Sequence, residues 1–252
     1  IGYDALGVNT TGANNVAVGY QALDANTTAS YNTALGISAL TANTTGTRNI
    51  GIGSFALGSN TTANDNISIG YDSMVSNTTG ASNTAVGAYA LDANTTASNN
   101  VGVGINALGA ATTGHSNASV GSASSSAITT GYRNVAMGMN SAQGITTGYE
   151  NVCLGSNAGI SMTTGYRNVL IGRNAGYADM TSNHNIGIGF QSLYGLTGGG
   201  DNTCVGTSAG YALTTGSSNT AIGVSTLATA TTTSLNTAVG HAAGYALTTA
   251  TG

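Results

Sequence analysis

Few side chains in this sequence are imidazoles, thiols or carboxylates, the groups that most often ligate metals or move protons. They are three histidines (His115, His184, His241), two cysteines (Cys153, Cys204) and eight acids. A metal site needs three or four such ligands brought together, and acid–base catalysis needs a pair within hydrogen-bond reach of one reacting group. Neither pattern occurs: the histidines are scattered, and no His/Cys/Asp cluster has ligand spacing. The Gly-x-Gly pieces Gly51–Gly53, Gly102–Gly104 and Gly187–Gly189 lack the helix that a dinucleotide fingerprint opens. Calcium-binding β-roll nonapeptides place an Asp in each turn, and those are missing too. The sequence therefore offers no catalytic residue, no cofactor-binding residue and no metal ligand set. The expectation is that the chain is not an enzyme and takes no cofactor.

Binding chemistry is better represented. Asn9, Asn26, Asn43, Asn60, Asn77 and Asn94 each precede Thr-Thr and so form N-glycosylation sequons. Tyr177, Tyr194, Tyr211 and Tyr245 recur at multiples of one interval, a candidate row for gripping sugars, and Tyr132, Tyr149 and Tyr166 form another row. The net charge of −4, with four Arg and no Lys, gives no basic footprint for nucleic acid. No run approaches ~18 apolar residues, so no membrane span is expected.

What positions these residues is a repeat. Asn, two residues, an apolar residue and Gly recur at Asn15, Asn32, Asn49, Asn66, Asn83, Asn100, Asn117, Asn134, Asn151, Asn168, Asn185, Asn202, Asn219 and Asn236. Each Asn follows the last by 17 residues without insertion or deletion. With Asn as phase 0, phase 1 is mostly Val, Ile or Thr, phase 2 is small except at Leu170, phase 3 is large and apolar, and phase 4 is Gly. Alternation with β-branched residues predicts a strand over phases 0–4, with phases 1 and 3 on one face. Thr-Thr at phases 12 and 13 suggests a second short strand and corner. A 17-residue unit cannot hold two helices and a turn, and Gly and Thr are poor helix formers. The fold class is all-β, a parallel β-solenoid of about 14.8 coils of 17 residues, stacked ~4.8 Å apart. Residues 1–252 form one repeat domain or a segment of a longer fibre.

Several columns follow from that stacking. Phase 3, including Val18, Val86, Leu154 and Val239, is expected to be buried. Phases 8 and 11 trade bulk: Leu23, Leu40, Leu57, Met74 and Leu91 accompany Asn26, Asn43, Asn60, Asn77 and Asn94, whereas Gly159 accompanies Met162 and Gly210 accompanies Leu213. Fixed interior volume demands such an exchange, so both phases should reach one core. Leu193 with Leu196 breaks the rule, as does Gly176 with Asp179 unless Met180 fills in. The Asn column reads as a structural amide ladder. At phase 16, Arg48 precedes Asp65, and Arg133, Glu150 and Arg167 alternate, so exposed ion pairs should link coils. Cys153 and Cys204 share phase 2 three coils apart, ~14 Å along the axis, beyond disulfide reach of ~7 Å.

The phrase Asn-Thr-Ala-Val-Gly-x-x-Ala at Asn83–Ala90 and Asn236–Ala243 resembles the head repeat of trimeric autotransporter adhesins of the YadA type, and repeat tracts of bacteriophage tail fibres. The resemblance implies a left-handed β-roll, a homotrimer and extracellular adhesion. Coil length departs from it, since the adhesin heads use a repeat shorter than 17 residues. The sequence starts without an initiator Met and reads as a mature fragment or the ordered part of something longer. Neither end carries a polar capping unit, so the chain is expected to assemble with itself, as a homotrimer or an end-to-end filament. The leading expectation is a structural protein of an extracellular fibril or fibre shaft, at a cell surface or on a virion. The alternative is an adhesin or phage receptor-binding tail fibre that contacts surface glycans. A remote third is ice binding through Thr columns, although phases 12 and 13 would give only one outward row.

Overall fold

The computed structural model describes residues 1–247 and is all-β, a parallel β-solenoid without a helix among those residues. Backbone proximity divides the chain into two compact units, Ile1–Ala123 and Ser124–Gly252. The first holds β1 (Val16–Val18), β2 (Thr33–Leu35), β3 (Ile50–Ile52), β4 (Ile67–Ile69), β5 (Thr84–Val86), β6 (Val101–Val103) and β7 (Ala118–Val120). The second holds β8 (Val135–Met137), β9 (Val152–Leu154), β10 (Val169–Ile171), β11 (Ile186–Ile188), β12 (Thr203–Val205), β13 (Thr220–Ile222) and β14 (Thr237–Val239). Within each unit, consecutive strands pair in parallel at the repeat interval. Val16 lies opposite Thr33, and Val152 opposite Val169.

Each coil has one strand of three residues, at phases 1–3. The second strand expected at Thr-Thr does not form. Instead the N–H groups of Thr44 and Thr45 both donate to the carbonyl of Thr61, at 3.0 and 3.2 Å. Two successive donors converging on one acceptor make a corner, because a strand would send alternate groups to opposite sides. The rest of the coil is turn, built on left-handed residues at phases 6, 8 and 16, such as Gln21 (φ 53°), Leu23 (φ 51°) and Arg48 (φ 57°). Such a conformation costs a non-glycine residue about 1–2 kcal/mol, so packing must hold it in place.

The interior differs from expectation in one decisive respect. Phase 3 is the outer face of the strand: Leu35 is 46% exposed, Met137 49% and Val239 66%, and Val18, Val86 and Leu154 are only partly covered. Phase 2 points inward, with Ala34, Ala85, Cys153 and Leu170 fully buried. The strand alternates as read, but its faces are reversed. The reason is space. The turns fold phases 7, 8 and 11 under the strand, where Ala39, Leu40 and Asn43 are all fully buried. A small phase 2 residue fits above them, and a β-branched row would not.

The bulk exchange is real and has a third partner. Leu23, Leu40 and Leu91 at phase 8 are fully buried, as are Met162 and Leu213 at phase 11. A Cβ added to Gly159 would lie 2.9 Å from Cys153 Sγ and 3.1 Å from Leu170 Cδ1, and one on Gly210 would lie 2.7 Å from Cys204 Sγ. Phase 2 therefore fills the room that phase 8 vacates. The exceptions resolve the same way. Leu170 occupies the space over Gly176, where a Cβ would be 2.7 Å away, and Met180 is fully buried in that coil. Leu193 and Leu196 are buried together beneath Gly187.

Candidate functional site

Hydrogen-bonded and aromatic ladders are the most regular surfaces and seams of the two units. The phase 0 asparagines form one. The N–H of Asn66 donates to Asn49 Oδ1 at 3.1 Å, its Nδ2 donates to Gly80 O at 2.9 Å, and its Oδ1 accepts from the N–H of Asn83 at 2.9 Å. The second unit repeats this at Asn151, Asn168, Asn202 and Asn219, whereas Asn185 Nδ2 donates to Ser182 Oγ and Asn183 O, both at 3.1 Å. Apart from Asn15 and Asn236 the column is buried, so each side chain replaces water with three or four protein partners. That satisfies backbone groups at the seam between strand and corner.

The sequon asparagines form a second, interior ladder. Nδ2 of Asn26, Asn43, Asn60, Asn77 and Asn94 donates to Oδ1 of the preceding member at 2.8, 3.3, 2.9, 3.0 and 2.6 Å. All five are fully buried, and Asn9 is partly covered. A glycan on any of the five is incompatible with the folded coil, because the nitrogen it would modify is fully buried and donates both its hydrogens, as Asn26 Nδ2 does to Asn9 Oδ1 and Ala29 O. The sequon pattern was misleading because the Thr-Thr corner and the interior amide share one local sequence. The ladder ends at Asn94, whose Oδ1 is buried without a partner, in the coil before Ala111 takes this phase.

Outside, charges and rings stack coil on coil. Arg48 grips Asp65 through Nε and Nη2 at 2.6 and 2.9 Å, and Glu150 sits between Arg133 (3.2 Å) and Arg167 (2.8 Å). The arginine hydrogen bonds hold both carboxyls below their ordinary values. Tyr132, Tyr149 and Tyr166 stack with centroids 5.0 and 4.8 Å apart. Tyr177, Tyr194 and Tyr211 do so at 4.8 and 5.0 Å, with planes within 5° and 12° of parallel. Tyr245 stands two coils beyond Tyr211, with Ala228 between them.

The candidate reactive groups stay dispersed. Cys153 and Cys204 are free and buried, and desolvation pushes both thiols up to about 12. His184 lies 3.7 Å from Asp201, and among the described residues no group of three His, Cys, Asp or Glu is gathered. No helix among them is long and apolar enough to cross a membrane.

The outer strand face is an apolar surface with no role assigned so far. Val16, Leu35, Ile37, Ile67, Ile69 and Ile105 are exposed in the first unit, and Val135, Met137, Met139, Ile186 and Ile222 in the second. They occupy phases 1, 3 and 5, so each unit carries an apolar strip along its strands. Sequence reading missed this strip because it expected the phase 3 row to be buried, with phase 1 on the same face, and made no assignment for phase 5. The small size of every phase 7 residue, Ala, Ser or Thr, was the signal that the interior lay elsewhere. No family model, curated protein or solved structure matches the chain.

Proposed function

We propose that this chain is a structural protein that self-associates to build an extracellular fibril or fibre shaft. The apolar strip at phases 1, 3 and 5 carries the reading. Contiguous apolar surface of more than a few hundred Å² marks an interaction site on soluble proteins. A strip with the period of the repeat is best matched by a partner with the same period, and a second copy has it. Interior ladders that repeat without a ligand-sized irregularity support a scaffold role. The test is the oligomeric state of the purified chain. The expected result is a stable assembly that Leu35→Lys with Ile69→Lys weakens, while Thr45→Lys with Thr79→Lys on another face does not.

A second reading, an adhesin or phage receptor-binding tail fibre, is favoured by the stacked rings of Tyr177, Tyr194 and Tyr211 and by the adhesin-like phrases at Asn83–Ala90 and Asn236–Ala243. Glycan-array binding would separate it from a pure scaffold. Ice binding gains little: the phase 12 hydroxyls are engaged, Thr44 Oγ1 donating to Thr61 O at 3.0 Å, which leaves one outward row.

A further inference from the structure

The phase 9 tyrosine column in the second unit has a missing rung. Tyr177, Tyr194 and Tyr211 stack one ring per coil, the next coil has Ala228, and the following one has Tyr245. Between Tyr211 and Tyr245 lies a groove of about 510 Å³, floored by Ala228 and bordered by Gln191, Ser208, Ser225 and Thr229. We propose that this slot binds a single neutral pyranose ring, sandwiched between the two tyrosines. The inference rests on the carbohydrate reading of the tyrosine column and is independent of self-association.

Three observations carry it. First, the rungs that flank the slot are two coil spacings apart, about 9.6 Å. An occupant midway would stand about 4.8 Å from each, within the range at which rings pair and the separation this column itself keeps. A puckered sugar ring, thicker than an aromatic one, fills that width better. Second, the lining is uncharged: the Gln191 amide and the Ser208 and Ser225 hydroxyls can pair with sugar hydroxyls in either hydrogen-bond sense, and the Thr229 oxygen can accept. Third, the backbone that carries Tyr245 is tied down: the Thr229 hydroxyl donates to the carbonyl of Tyr245, and Tyr245 N–H donates to Ala242 O at 3.1 Å. Apolar walls with a few polar groups at the border are what small-ligand sites share.

Saturation-transfer NMR and titration with the methyl pyranosides of glucose, galactose, mannose and N-acetylglucosamine test it, with phenol as the flat aromatic control. At least one pyranoside should bind the full chain. Tyr211→Ala should weaken it about tenfold, the loss of one ring contact. Ala228→Tyr restores the missing rung and should abolish binding while leaving thermal unfolding and particle mass unchanged. Binding of phenol alone, no binding by any pyranoside, or equal binding by Ala228→Tyr would overturn the proposal. Loss of the assembly in Ala228→Tyr would also overturn it, by making the slot a contact between copies.

Discussion

Gly70 shows how tightly single residues are specified. Its φ of 140° lies where L side chains are strained, and a Cβ there would sit 2.4 Å from the carbonyl oxygen of Gly87 in the next coil. Gly70→Ala should therefore cost about 2 kcal/mol or more, read as a shift in denaturant midpoint. Gly198→Ala, with its nearest neighbour 3.7 Å away and no left-handed φ, should be close to neutral. The ion pairs set a pH dependence. Asp65 and Glu150 have folded values below their ordinary 3.8 and 4.5, so their contribution is present above those values and is lost as pH falls through the folded ones. Melting temperature followed from about pH 6 to about pH 3 should fall less in Glu150→Gln than in the parent, and added salt should shrink the difference. Of these features, the glycine column and the charge row were legible in the sequence because each is a repeated residue type at one phase. The buried state of Asn26 and its stack was not, since a surface sequon and an interior amide look identical until the corner geometry is known.

At the scale of the coil, interior volume is shared by phases 2, 8 and 11. The first unit uses small, large and Asn, as in Ala85, Leu91 and Asn94, whereas the coil of β10 uses Leu170 over Gly176. Transplanting the second arrangement tests whether the three positions form one site. Ala85→Leu alone should overpack by about 1–3 kcal/mol, and Leu91→Gly alone should cost about 2–5 kcal/mol as a cavity. The double variant should recover a substantial part of that sum, a coupling that denaturant unfolding of all four proteins measures. The sequence disclosed the register and the exchange between phases 8 and 11, because both are periodic. It did not disclose which strand face is inward. A period of two defines two faces but not their environment, and hydrophobicity pointed to the β-branched row. Here that rule yields to space: the corners carry Leu and Asn under the strand, and only Ala, Gly, Ser or Cys clears them in most coils. The single strand per coil was hidden for a related reason, since Thr favours strands but two convergent N–H groups at Thr44 and Thr45 make a bend.

At the scale of the whole molecule, the reversal of the strand faces changes what the chain presents to its surroundings. A row of Val, Ile, Leu and Met that would have been core is surface in both units, and leaving such side chains in water forgoes about 25 cal/mol per Å² of apolar area. A partner with the same spacing removes that cost along the strip, and another copy is the simplest such partner. Mass measured by light scattering across a dilution series tests this claim most directly. The expected particle is a multiple of the 24.5 kDa chain, which Leu35→Lys with Ile69→Lys drives toward single chains of unchanged circular dichroism. A parent protein that stays at 24.5 kDa at every concentration would contradict it.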